Sequence, residues 1–323
     1  MSAALEFLQA LLVPELTYVT KAALVAVAAS IVCGVIGCHV VLRGMAFAGD
    51  AVAHAVLPGL AVAFLLQGSL VLGGVVSGVV TAVLIALVAQ HRRLRDDAVI
   101  GVFFVGAFAL GIVLVSRAPG YTGSLQQFLV GSVTGVTEAD VVTVLGSALV
   151  LLVVTAALHK ELVAVSLDRE SARAAGLPVL TLDVVLYVLI TVAVVISVQT
   201  IGTVLVLALL ITPPATARML TDRLVPMMAA AAATGAVAAV VGLGLSWGLG
   251  WPAGASVVLV ATGIFAVVWL LAPRHRFLVR GRHRVPDEPV PGQDGPRAGV
   301  TRPAVPGHAS GEWWSKFATP RLQ

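Results

Sequence analysis

The chain has 323 residues, of which 59% are hydrophobic and only 11% charged, with a formal net charge of +4. No soluble globular domain has this composition, and the small basic excess, much of it in short loops and the C-terminal tail, gives no basis for nucleic-acid binding. Only helices or closed barrels span lipid, and the apolar runs are far longer than barrel strands, so the fold class is all-α: a polytopic membrane helical bundle.

The N-terminal stretch carries Glu6 and Glu15 and no basic region ahead of the first apolar run. It therefore reads as a retained transmembrane helix, not a cleaved signal. A window of roughly 19 residues gives nine apolar segments. They lie near 19–42, 44–66, 69–89, 98–116, 140–158, 178–197, 201–217, 225–247 and 254–272. The seventh is short, and a broken or re-entrant pair at segments six and seven leaves eight spans open. Cys33 and Cys38, both in the first segment and five apart, fall on different helix faces and read as packing residues, not a disulfide. His39 beside them reads as a hydrogen-bonded packing residue.

The second segment carries the most informative pair. Asp50 and His54 are four apart in Gly49-Asp50-Ala51-Val52-Ala53-His54, so a carboxylate and an imidazole share one helix face. Ionisable groups at membrane depth are costly and mark function. With Arg43 at the cytoplasmic end of this span, His54 lies about 16 Å along the helix axis, near the middle of a ~30 Å hydrocarbon core. An Asp/His pair suits divalent zinc or manganese; a hydrogen bond between the two side chains is the alternative that spacing alone allows. Pro58 has no N–H for the His54 carbonyl, so a kink is expected there, and Gly49 and Gly59 permit close approach of another helix. One chain offers two ligands where a tetrahedral site wants four, which a two-fold dimer would supply.

The loops give orientation. Arg92, Arg93 and Arg95 follow segment three; Lys160, Arg169 and Arg173 follow segment five; Arg218 and Arg223 follow segment seven; Arg274-His275-Arg276 follows segment nine. The alternate loops are nearly free of Lys and Arg, with Arg117 the exception. The positive-inside rule places the basic loops and the C-terminus in the cytoplasm. His91, His159, His275 and His283 read as surface residues.

In the loop after segment five, residues 168–175 favour a short helix closed by Gly176, with Pro178 beyond. Farther on, Pro213 and Pro214 stand near the end of segment seven. They are expected to break the helix and free the carbonyls of Leu209 and Leu210, with Thr212 and Thr216 re-satisfying backbone groups. Residues 273–323, rich in Pro, Gly and Arg, read as a disordered cytoplasmic tail after a permease domain spanning 1–272. There is no Gly-Lys pair, hence no Walker A loop, and no His-Glu-x-x-His; the chain is expected not to be an enzyme.

Several stretches in order resemble the membrane permeases of the ABC-3 family, importers of zinc, manganese and sometimes iron. They are Gly37-Cys38-His39-Val40-Val41-Leu42-Arg43-Gly44-Met45, Gly49-Asp50 through His54-Ala55-Val56-Leu57-Pro58-Gly59, Asp97-Ala98-Val99-Ile100-Gly101 and Phe128-Leu129-Val130-Gly131-Ser132. Farther along come Ala174-Ala175-Gly176-Leu177-Pro178, the Leu209–Ala217 stretch and Pro252-Ala253-Gly254-Ala255-Ser256. Pro214 departs from the alanine of many relatives, and the tail after Pro273 exceeds the usual family end. The resemblance implies a type II importer-like homodimer in the bacterial cytoplasmic membrane. It implies a separate cytoplasmic ATPase, an extracellular or periplasmic metal-binding protein, and no cofactor beyond the transported ion. It places metal ligands at Asp50 and His54, an ATPase-coupling segment at Glu170, Ala172, Arg173 and Gly176, and helix kinks near the translocation path at Pro58, Pro213 and Pro214. The delivering protein is expected on outward loops including 117–139, with Glu138 and Asp140. The expected function is uptake of a divalent transition-metal ion. The rivals are a secondary ion-coupled transporter, for which Asp183 is the one further carboxylate at hand, and an importer of a metal chelate.

Overall fold

The structure, a computed structural model, describes residues 17–45, 47–90, 96–116 and 136–271. The described residues form twelve helices. These are α1 (Thr17–Leu42), α2 (Ala48–Ala55), α3 (Leu57–Leu65), α4 (Leu70–Ala89), α5 (Asp96–Ser116) and α6 (Glu138–Ala157), then α7 (His159–Leu167), α8 (Arg169–Ala174), α9 (Val179–Ile201), α10 (Thr203–Leu220), α11 (Leu224–Leu249) and α12 (Ala253–Leu271). With α2 and α3 taken as one span, nine stretches among the described residues are long and apolar enough to cross a membrane. They coincide with the nine segments read from hydropathy. The sixth and seventh are two separate helices, α9 and α10, parted by Gly202 at φ +84°.

Within the spans, α1 is the most enclosed, with 67% of its apolar window buried, while α5 and α12 bury 17% of theirs. The bundle is built around α1, which packs on α6, α9, α10 and α11; α9 in turn packs on α2, α4 and α6. The outer helices leave Val102, Leu110, Leu259 and Leu270 exposed, an arrangement suited to lipid, whose tails are as apolar as these side chains. Because lipid gives helices no hydrophobic drive to associate, contact depends on close backbone approach through small residues. A Cβ on Gly59 would collide with the Gly73 carbonyl oxygen, and one on Gly73 with the carbonyl of Gly59, so α3 and α4 cross backbone to backbone. A Cβ on Gly37 of α1 would strike the Leu210 carbonyl and the Pro214 ring of α10.

That contact bears on the prolines. Pro213 and Pro214 do not break their helix: α10 runs unbroken from Thr203 to Leu220 with both prolines buried inside it. The expectation of a break weighed local propensity alone. Neither proline supplies an N–H to the carbonyl four residues back, but Pro214 is seated in the space left by Gly37, and a Cβ at Gly235 of α11 would stand 3.5 Å from Pro213 Cγ. Thr216 Oγ1 donates to the Thr212 carbonyl at 2.8 Å. Tertiary packing thus holds the helix where the sequence favours a stop. The basic residues at 92–95, the stretch 117–135 with Arg117 and Phe128–Ser132, and the tail from 273 all lie outside the described residues.

Candidate functional site

The second span does divide at the proline. The turn residue Val56 separates α2 from α3, and Pro58 occupies the second position of α3, where a missing N–H costs little. The eight-residue α2 that results buries Ala48, Gly49, Ala51, Val52, Ala53 and Ala55, and Asp50 and His54 occupy its remaining face. Their side chains are 35% and 24% exposed, with His54 Nδ1 3.4 Å from Asp50 Oδ1. The same ring nitrogen lies 3.0 Å from the Asp50 carbonyl oxygen. Two aromatic rings from α5 wall the imidazole: Phe104 and Phe108, each with its ring centre 5.3 Å from that of His54 and roughly perpendicular to it. These phenylalanines carried no signal in the sequence, being apolar residues in an apolar helix. Among the described residues no three His, Cys, Asp or Glu side chains cluster to hold a metal, so one chain supplies two donors.

The segment at 168–176 is a fully capped short helix. Asp168 Oδ1 accepts from the backbone N–H groups of Glu170 and Ser171 at 2.9 and 3.2 Å, which satisfies the N-terminus of α8. At the other end Gly176 N–H donates to the Arg173 carbonyl and Leu177 N–H to the Ala172 carbonyl, at 3.0 and 3.1 Å. That is the Schellman pattern, and it requires the left-handed backbone found at Gly176, φ +82°. Glu170 and Arg173 point outward, and Gly176 is exposed. Ala172, grouped with them in the sequence, differs: it is 5% exposed and belongs to the hydrophobic core of this chain. A side chain at that position meets its own fold before it meets any partner.

Between these two places lies a cluster whose assembly the sequence hides. Asp183, in the second turn of α9, is 4% exposed. Its Oδ1 accepts from Arg43 Nη1 at 2.6 Å, and its Oδ2 is paired with Arg169 Nη2, from the first residue of α8. Arg43 Nε donates to Ser166 Oγ of α7 at 3.0 Å. One turn further along α9, the Tyr187 hydroxyl donates to Met45 Sδ at 3.2 Å. Burial pushes the Arg43 guanidinium down from its ordinary value, and the Asp183 carboxylate pulls it back up. Arg43 and Met45 lie in the short connection from α1 to α2.

Other singled-out residues take quieter places. His39 is fully buried, but neither ring nitrogen has a hydrogen-bond partner among the described residues, contrary to the expectation of a hydrogen-bonded packing residue. Its ring stands edge-on to that of His159, 6.3 Å away, which is half-buried. Cys33 and Cys38 are buried free thiols. At the opposite end of the bundle from Arg43, Asp140 closes a capping box with Thr137 at the start of α6, and Glu138 pairs with Lys21 of α1 at 3.1 Å.

Comparison with known proteins gives this arrangement its relatives. Residues 15–272 match the ABC 3 transport family. The chain is 40% identical over 264 residues to the manganese transport system membrane protein MntC of Halalkalibacterium halodurans, covering 82% of this chain and 90% of that one. It is 33% identical to the chelated iron transport system membrane protein YfeC of Yersinia pestis, covering 85% and 95% of the two chains. Among solved structures it superposes on a chain of PsaBC from Streptococcus pneumoniae in complex with Fab, with a TM-score of 0.75 and 33% identity over 85% of this chain and 99% of that one. An inward-facing metal-chelate type ABC transporter shares the fold at a TM-score of 0.58 and 18% identity. With its membrane-spanning bundle matched along nearly its whole length, this chain belongs to the ABC 3 transport family, as a membrane permease of the metal-transporting kind.

Proposed function

We propose that the chain is the permease subunit of an importer that carries a divalent transition-metal ion into the cytoplasm, with Asp50 and His54 as the ligands that receive it. The observation that carries this reading is the pair itself. It consists of two metal-compatible donors on the one unburied face of α2, 3.4 Å apart and a quarter to a third exposed, within an otherwise apolar span. The carboxylate oxygen and imidazole nitrogen fit manganese, iron or zinc by ligand type. Relatives named for manganese and for chelated iron favour the first two. Two copies of the chain, related by a two-fold axis beside α2, would bring two Asp and two His to one ion. The Phe104 and Phe108 rings beside His54 exclude water from one flank, which strengthens ion–ligand attraction there.

The remaining parts follow the same reading. The chain is a multi-pass protein of the bacterial cytoplasmic membrane with its C-terminus in the cytoplasm. An outward metal-binding protein delivers the ion. A separate ATPase docks on the cytoplasmic face at α8, where Glu170 and Arg173 are exposed and Gly176 fixes the exit of the chain. The rival reading as a secondary transporter needs a free carboxylate to carry a coupling ion, and Asp183 is committed to two arginines. Metal uptake in cells lacking their own importer tests the reading. Asp50→Ala and His54→Ala, at wild-type protein level and with the ATPase still co-purifying, are expected to take up no metal; uptake at the wild-type rate in both would refute the site.

A further inference from the structure

We propose that Asp183 is the positioning residue through which the ATPase-docking helix and the metal-carrying helix act on each other. The proposal deepens the function above and rests on it. Three contacts carry it. Arg169, the first residue of α8, is paired with one oxygen of Asp183. Arg43, seven residues ahead of Asp50, holds the other oxygen at 2.6 Å. One turn along the same face of α9, Tyr187 holds Met45 at 3.2 Å. Thus residues 43–45, which follow α1 on the way to α2, are tied at two points to α9, and α9 is tied through the same carboxylate to α8.

The chemistry suits transmission of a displacement. The Asp183 carboxylate is nearly sealed from solvent, as is the Arg43 side chain, their side chains being 5% and 6% exposed. A buried charge stripped of its partner is strongly disfavoured, so Arg43 follows Asp183 when α9 moves. Arg169 is different: its side chain is 34% exposed, so water can take over its charge and the Arg169–Asp183 contact can be made and released at low cost. One end of the linkage is therefore permanent and the other exchangeable. A docked ATPase that shifts α8 changes how α8 holds α9, and the permanent end carries that change to the connection leading into α2. Displacement of Asp50 and His54 follows with no contact between the ATPase and the site.

The test uses the full chain with its partner ATPase and metal-binding protein in proteoliposomes, reading manganese ions moved per ATP hydrolysed. A role confined to folding would change the amount of assembled complex and leave this ratio alone. In Arg169→Gln, which keeps the Arg43–Asp183 pair intact, the ratio is expected to fall about fivefold or more, the lower end of couplings between distant sites. Asp183→Asn weakens the Arg43 pair as well, so adding Arg169→Gln to it should lower the ratio no further than Asp183→Asn alone, because the contact Arg169 makes with Asp183 is already lost there. An unchanged ratio in Arg169→Gln overturns the proposal, as does loss of ATPase assembly in that variant, which would make Arg169 a docking residue instead. Asp50→Ala in the same vesicles separates this from the underlying reading: uptake by that variant refutes the metal site, whatever Arg169→Gln does.

Discussion

Asp50 and Asp183 both stand within this apolar bundle, and they are treated in opposite ways. Asp183 is sealed from solvent and saturated, with an arginine on each oxygen. Asp50 is a third exposed and, among the described residues, faces the imidazole of His54 at 3.4 Å. Desolvation makes an unpaired charge costly, so a fold that hides Asp183 must neutralise it. The same fold leaves Asp50 with spare lone pairs on an open face. A carboxylate already holding two cations has no capacity for a third, whereas one given a single titratable neighbour retains it. Position along the span does not separate the two residues; the completeness of their pairing does.

The contrast can be broken most directly at the open pair. Asp50→Ala or His54→Ala should abolish metal uptake while changing the thermal unfolding midpoint in detergent little, since neither side chain is buried. At the sealed site the consequence should fall on the fold itself. Asp183→Ala strands the buried Arg43 and should cost about 3–5 kcal/mol, seen as a lower unfolding midpoint and less protein in the membrane. Gly176→Val places a β-branched residue in left-handed backbone, a strain of about 1–2 kcal/mol that alters the exit of α8. The permease should still reach the membrane but lose co-purification with its ATPase, and normal complex formation would sink the docking role of α8. Cutting the chain after Arg284 should have the smallest effect, with uptake near the wild-type rate at equal protein level. A large change would give the tail a role outside the comparison altogether.

The spans were legible because hydropathy over a membrane-sized window is a strong local signal, and each of the nine membrane-length spans falls within a few residues of its expected bounds. Local chemistry also gave the division near Pro58 and the closure at Gly176, since both depend on backbone rules acting within one turn. What escaped was non-local. Arg43 and Asp183 are 140 positions apart, and nothing in either neighbourhood announces the other. Phe104 and Phe108 look like any lipid-facing aromatic until α5 is packed against α2. The Pro213-Pro214 pair misled because its stabilising partners, Gly37 and Gly235, belong to other helices. The burial of Ala172 escaped because a short polar loop gives no hint of which small residue turns inward.

A tilt of α2 about Val56, where Pro58 leaves the helix short of an N–H, would have unequal arms. Asp50 lies six residues from Val56 and His54 two, or roughly 9 and 3 Å along the axis at 1.5 Å per residue. Any tilt about Val56 therefore swings the aspartate about three times as far as the histidine. A rotation of about ten degrees carries the Asp50 backbone through about 1.6 Å and that of His54 through about 0.5 Å, on the same rise per residue. In the proposed paired arrangement around one ion, such a stroke would draw the carboxylate oxygens away before the imidazole nitrogens.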